Sequence, residues 1–233
     1  MFMKNKKTLL NLFASMGIAL LCANASAEVF VGIGGDLTYS KLKEKQNQTI
    51  FEIPAYGNSM VVSSGSDKNS VSGSRLGWNA KVGYDFFQYR AYLSYQYNSK
   101  TKETYWGDLW FEDGSKKWKS QDYIIGADYT PSFNEKWKGL FGVYLGKSRL
   151  KLGGDYSYKT NGFLYGAKIG GIYNIDQRQA LEMGLKLDRT SYKAKDVYSY
   201  GYATSTSNFT IHNSSKLKTN NYGLFLNYTY SFN

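Results

Sequence analysis

Few side chains of this 233-residue chain could carry out covalent chemistry. The only histidine, His212, has Ser214 two residues further on, and a histidine can deprotonate a serine when an acid orients it. No Asp or Glu follows Asp196, so the chain beyond His212 supplies no such acid. The only cysteine is Cys22, and no metal-ligand cluster or phosphate-binding loop stands out. We therefore predict no catalytic residue, no metal site and no cofactor.

Binding chemistry is better represented, because the formal net charge is +11. Most of the excess lies in four polar segments, at about residues 41–74, 99–121, 149–162 and 191–219. The second segment combines aromatic residues with cations, which suggests a binding tip or a loop folded over the structure beneath it. Its candidate binding residues are Trp106, Trp110, Lys116, Lys117, Trp118 and Lys119. A solvated loop surface without a ligand is the simpler alternative.

The N-terminal residues predict export. A basic start, an apolar run from Leu9 to Ala23 and a small-x-small site that ends at Ala27 are typical of a secretory signal peptide. The apolar run is shorter than the roughly 20 residues that a membrane-spanning helix needs. We expect residues 1–27 to be removed and residues 28–233 to form one domain.

Eight segments outside the polar stretches alternate between apolar residues and small or polar ones. Such alternation puts successive side chains on opposite faces of a strand. The segments begin near Val29, Arg75, Tyr89, Asp122, Trp137, Tyr165, Leu181 and Tyr222. Their apolar faces run for roughly 10 residues and end in aromatic residues, as in tilted transmembrane strands. Because lipid satisfies no unpaired backbone group, we predict an all-β fold, an eight-stranded antiparallel transmembrane β-barrel.

The register of these strands is strongly specified. The predicted outward faces hold about 41 positions without a charged residue. In most strands, a slip of one residue would move a charge into lipid, at roughly 2 to 4 kcal/mol for Arg or Lys near the midplane. A soluble sandwich or lipocalin-like barrel would instead turn the apolar face inward, and the aromatic strand ends disfavour it.

The inward faces carry nearly balanced charges, and an eight-stranded interior is just wide enough for side chains to fill it. The predicted lumen charge network consists of Arg75, Lys81, Asp85, Arg90, Asp122, Asp128, Lys168, Glu182, Lys186 and Asp188. Asp36, Lys138 and Arg189 are also assigned to the inward face. Opposite charges in a narrow lumen should pair, because an unpaired buried charge is costly. The network predicts a closed plug or, alternatively, a narrow pore whose charges set ion preference.

The connections alternate between short and long, and the chain resembles the small eight-stranded outer-membrane barrels: the OmpA-type transmembrane domain, OmpX-like proteins and opacity-type surface proteins. The resemblance implies a monomer in the outer membrane, with both termini periplasmic and the four polar segments as extracellular loops. It also implies that the assembly machinery reads a C-terminal signal, which Tyr228, Tyr230 and Phe232 match. The final Asn233 departs from that pattern.

The resemblance names no single activity. We expect the loops to act in surface interaction, adhesion or envelope integrity, with lipopolysaccharide and host surface glycans or proteins as partners. A small-solute pore is the first alternative. The spacing of His212 and Ser214 is similar to that in outer-membrane lipid A deacylases, so a lipid A-modifying hydrolase is the second, although the downstream acid is missing. Export disfavours nucleic acid as a partner.

Overall fold

The computed structural model describes residues 27–54, 59–99, 101, 118–153, 158–193, 198–203 and 207–232, which form nine strands. The strands are β1 (Glu28–Pro54), β2 (Met60–Phe86), β3 (Tyr89–Asn98), β4 (Trp118–Tyr129), β5 (Trp137–Leu152), β6 (Tyr158–Asn174), β7 (Gln179–Lys193), β8 (Tyr198–Ala203) and β9 (Ser207–Phe232). No helix in the described part of the chain is long and apolar enough to cross a membrane.

Eight of these strands close into a ring. β1 to β7 pair with their neighbours in chain order, β7 pairs with β9, and β9 pairs back with β1, always antiparallel. β8 lies outside the ring and pairs only with the first part of β9. The predicted eight-stranded antiparallel barrel is thus confirmed, with the last predicted strand forming the second half of β9.

The apolar faces point outward, as the registers predict. Ile33, Leu76 and Leu93 are between 59% and 67% exposed, whereas the intervening residues of the same strands face the interior. Aromatic pairs mark both limits of this apolar belt. Tyr89 packs on Tyr129 at one limit, with ring centroids 5.3 Å apart, and further rings pair at the other. The belt and its two aromatic girdles have the arrangement of a membrane-spanning barrel.

The end of the barrel that holds Glu28 and Phe232, here called the near end, has short connections. Only Phe87 and Gln88 join β2 to β3. The Gln88 amide donates to the Phe86 carbonyl at 2.8 Å, which makes a γ-turn around Phe87, whose φ is 69°. The four connections that the sequence predicts to be long all lie at the opposite, far end, but two of them are short: residues 55–59 join β1 to β2, and residues 153–157 join β5 to β6.

At the far end, the structure differs from the predicted loops. Most of segment 41–74 is strand, because β1 and β2 stay paired as far as Glu52 and Met60. Much of segment 191–219 is also strand, since β9 pairs with β1 out to Pro54. The backbone ladder of β1, β2 and β9 therefore continues well beyond the apolar belt.

Candidate functional site

The part of the lumen towards the near end contains ion pairs around Glu182. This carboxylate is fully buried and accepts hydrogen bonds from the Lys81 ammonium and, at 2.8 Å, from Nη1 of Arg90. Arg90 also donates from Nε to Asp85 at 2.6 Å. The pairing places two cations from β2 and β3 against a carboxylate on β7, across the barrel interior.

Aromatic rings fill the space between these charges. The Lys168 ammonium lies 4.4 Å from the centroid of the Tyr92 ring and 2.9 Å from a carboxylate oxygen of Asp128. The Arg90 guanidinium lies 5.1 Å from the centroid of Phe30. Such cation–π contacts are favourable because the ring face is negative. Gly126 is required beside Tyr92, since a Cβ atom there would collide with its ring.

A second polar layer lies closer to the far end. Arg75 donates to Ser120 and to Oδ1 of Asn221, both at 3.2 Å. Asp122 accepts from Ser148 at 2.5 Å and from Asn98 at 2.8 Å. These bonds link β2, β3, β4, β5 and β9 across the lumen.

The same layer holds the remaining predicted lumen charges. Lys186 pairs with Asp36 at 3.1 Å, and Asp188 accepts from the Asn221 amide at 2.5 Å. All ten residues of the predicted network therefore lie inside the barrel. The prediction that Arg189 faces inward is wrong, because this residue is exposed on the outward face of β7. The alternation with Leu187, which is also outward, places it there. Lys138 is half-buried.

Above the second polar layer, an apolar cluster occupies the far end of the lumen. Six ring strands each contribute one buried residue: Leu42, Val71, Trp118, Leu150, Tyr192 and Leu217. Trp118 is 1% exposed, so of the two predicted arrangements the exposed binding tip does not hold for this residue. It is the first residue of β4 and has the inward parity of Ser120 and Asp122, which is why it turns into the barrel.

Outside the barrel, the strands beyond the far girdle carry a row of lysines. In β1, Lys43 lies directly opposite Lys218 of β9, while Lys45 lies between Lys216 of β9 and Lys68 of β2. All five are exposed. With the half-buried Lys41 they form what we call the β1 basic patch.

A second group of cations lies on the opposite wall. Lys151 of β5 lies directly opposite both Lys119 of β4 and Lys159 of β6. Lys147 and Arg149 occupy the neighbouring outward and exposed positions of β5. These five residues form the β5 basic patch, and together with Arg189 the two patches form the basic collar. Lys119 has its ammonium 6.0 Å from the centroid of the Tyr97 ring.

Acidic residues are lacking on the collar's surface within the described strands. In the extension of β1 and β2, the nearby acids Glu44 and Asp67 have the inward parity and lie on the other face of the sheet. Like charges directly opposite one another in a sheet destabilise it, because their Cβ atoms are only about 5 Å apart. Within the described strands, the collar therefore has a positive charge that no acid on its own face balances.

A closed ring with a lipid-facing apolar belt between two aromatic girdles decides the class. The chain folds as an eight-stranded transmembrane β-barrel. In barrels of this type the end with the short turns faces the periplasm, so the near end is called the periplasmic end below and the far end the extracellular end. The basic collar lies beyond the apolar belt at that far end.

No protein-family model matches the chain, and no curated protein matches its sequence. Among solved structures, Neisserial surface protein A is similar at 13% identity, over 77% of this chain and 95% of that one, with a TM-score of 0.42. Ail of Yersinia pestis, solved with the heparin analogue sucrose octasulfate, is 13% identical over 88% of this chain and 100% of its own, with a TM-score of 0.38. The protease OmpT of Escherichia coli is 10% identical over 90% and 99%, with a TM-score of 0.48. These likenesses concern the fold alone.

Several predicted sites lie outside the described residues of this barrel. They are residues 1–26 of the predicted signal peptide and the loop residues Trp106, Trp110, Lys116 and Lys117, whereas Ala27, the predicted cleavage site, is the first described residue. Of the predicted assembly signal, Tyr228, Tyr230 and Phe232 all lie on the outward face of β9 at the periplasmic end, and the rings of Tyr230 and Phe232 meet edge to face at 5.0 Å. Its role in assembly stays a prediction.

The residues of the hydrolase alternative lie on the extracellular part of β9. The backbone positions of His212 and Ser214 face Thr49 and Asn47 of β1. Within the described residues, no group of three His, Cys, Asp or Glu side chains is arranged to hold a metal ion.

Proposed function

We propose that this barrel binds the phosphate groups of lipopolysaccharide in the outer leaflet through its basic collar and thereby contributes to envelope integrity. The proposal rests on lysines that lie directly opposite one another: Lys45 faces Lys68 and Lys216, and Lys43 faces Lys218. No acid lies on that face of the described strands. Each such pair is destabilising in the absence of an anion, because like charges lie directly opposite one another. A bound phosphate would turn this repulsion into attraction.

The position of the collar supports a lipid head group as the anion. Lys41 follows Tyr39 of the extracellular girdle by two residues, which is about 7 Å along the strand. The patch therefore starts at the depth where the phosphorylated sugars of the outer leaflet begin. By analogy with anionic leaflets, each nearby Lys or Arg contributes about 1 kcal/mol to such an association.

The test is the affinity for lipopolysaccharide of a Lys45→Gln/Lys216→Gln variant in non-ionic detergent, measured by calorimetric titration. We expect at least tenfold weaker binding and a smaller loss of affinity at high salt, because two charges that salt screens are gone. The matched control, Lys136→Gln/Arg178→Gln, removes two exposed charges at the periplasmic end and should bind as the parent does. Unchanged affinity in the collar variant would refute the proposal.

A stability measurement separates lost binding from damage to the fold. Without lipopolysaccharide, the collar variant should be as stable as the parent or more stable, since Lys45 and Lys216 repel each other directly. With lipopolysaccharide present, the parent should gain more stability than the variant, because a ligand stabilises the folded state to which it binds. Lower stability of the variant in plain detergent would contradict the repulsion on which the proposal rests.

A further inference from the structure

The lipid-facing surface has a groove of about 560 Å³ in the wall that also carries the β1 basic patch. It is lined by Ile33, Gly34, Trp78, Asn79, Ala80, Leu181, Leu226 and Tyr228. The outward side chains among them come from β1, β2, β7 and β9 and are apolar or aromatic. The groove includes the middle of the membrane belt, where Ile33 is at the centre of the transmembrane part of β1, and it reaches Trp78 of the far girdle.

Small residues create this groove between large ones. Ala80 lies directly opposite Ile33, and the next outward position of β1 is Gly35, which lies between Trp78 and Leu226. Trp78 is 50% exposed and so rises as a wall beside the space that Ala80 and Gly35 leave open. A concave, apolar slot in lipid is a place for an acyl chain rather than for a polar ligand.

The groove and the β1 basic patch are spaced like the two parts of one lipid. Lys41 is eight residues beyond Ile33 on the same strand, which is about 26 Å along the strand and about 19 Å in height at a tilt of 45°. Half of the hydrocarbon core of a bilayer is about 15 Å thick. A lipid of the outer leaflet with its phosphate on the patch would therefore bring the end of an acyl chain to the level of the groove.

We infer that one lipopolysaccharide molecule has a defined binding site on the β2–β1–β9 wall, with its phosphates on the β1 basic patch and one acyl chain in the groove. The inference rests on the proposed function, because it uses the same lysines. It goes further in assigning a specific wall of the barrel and in making recognition depend on the acyl chain as well as on charge. The β5 basic patch has no such role in it.

The experiment compares two ligands prepared from the same lipopolysaccharide: the intact lipid, and its phosphorylated oligosaccharide after complete removal of the acyl chains. The test variant is Ala80→Phe, which fills the groove with an apolar ring. The matched control is Ala167→Phe, an outward alanine of the membrane belt on β6, away from the groove. Heat-modifiable migration on a gel first establishes that each variant is folded.

We expect Ala80→Phe to bind the intact lipid at least fivefold more weakly than the parent and the deacylated oligosaccharide equally well. Ala167→Phe should match the parent with both ligands. Lys45→Gln/Lys216→Gln should lose affinity for both ligands, since both carry the phosphates.

Two outcomes overturn the inference without touching the proposed function. One is that Ala80→Phe binds the intact lipid as tightly as the parent does. The other is that Ala167→Phe loses as much affinity for the intact lipid as Ala80→Phe does. Both apply when the lysine variant still binds both ligands weakly. If the lysine variant binds both ligands as tightly as the parent does, the proposed function itself fails.

Discussion

At the scale of single residues, Glu182 matters most for the balance of charge in the lumen. It is fully buried and accepts hydrogen bonds from both Lys81 and Arg90, and the amide of Asn227 lies 3.4 Å away. A buried ion pair adds little stability over a well-packed apolar pair, because desolvation offsets the attraction. Removal of one partner is different, since it leaves the other charge buried and unpaired.

Glu182→Ala should therefore lower the free energy of unfolding by about 3 to 5 kcal/mol, because it leaves two buried cations without their shared carboxylate. Urea unfolding of the refolded barrel, followed by tryptophan fluorescence, measures the change. Glu135→Ala is the control: Glu135 is exposed in the turn between β4 and β5, and its loss should change stability by less than about 0.5 kcal/mol. Similar losses in both variants would rule out a paired plug.

At the scale of elements, the sequence predicts the strands in lipid far better than their extensions. Within the belt, a charge on the wrong face costs several kcal/mol, so Lys81 and Lys168 can only face inward and the register can be read directly. Beyond the belt both faces meet water, and the Ser, Asn, Gln and Lys residues of segment 41–74 show no apolar alternation. That is why the sequence pattern predicts a loop for this segment.

A signal for the basic collar was nevertheless present in the sequence. Lys41, Lys43 and Lys45 continue the odd parity of Val29 to Tyr39, so they lie on the outward face once β1 is known to extend. Their partners could not be predicted. The opposition of Lys45 to Lys68 and Lys216 depends on strand registers that only the folded ladder fixes.

The start of β4 at Trp118 is another strand extension that the sequence does not predict. The sequence predicts its strand from about Asp122, since the apolar alternation begins there, whereas the structure starts β4 four residues earlier. The indole thereby moves from a predicted exposed loop into the apolar cluster that occupies the extracellular end of the lumen. A large aromatic residue beside lysines is thus part of the plug.

Trp118→Ala should lower the free energy of unfolding by about 3 to 5 kcal/mol, because it leaves a large cavity among residues from six strands. Trp137→Ala is the matched control. Trp137 is 43% exposed in the periplasmic girdle, where detergent or lipid can fill the space that it leaves. Denaturant unfolding of both variants checks the difference, and a smaller loss for Trp118 than for Trp137 would contradict a packed plug.

At the scale of the whole molecule, the lumen is filled in layers. From the extracellular end these are the apolar cluster around Trp118, the polar layer around Arg75 and Asp122, and the ion pairs around Glu182. A further apolar cluster of Leu140, Ile172, Ala180 and Phe225 lies towards the periplasmic end. Apolar clusters, hydrogen bonds and ion pairs thus fill the inside of the barrel, which is a packed core.

This architecture predicts that the refolded barrel carries no steady ionic current in a planar bilayer. An ion would have to cross two apolar clusters and displace Lys81 or Arg90 from Glu182, and each step leaves a buried charge without a partner. The measurement needs a porin as positive control and heat-modifiable migration as proof of folding. Reproducible unit currents would contradict the layered plug, and Lys81, Arg90 and Lys168 would then become the residues that set ion preference. Absence of current would instead agree with a closed lumen and with a binding function of the outer surface and its lysines.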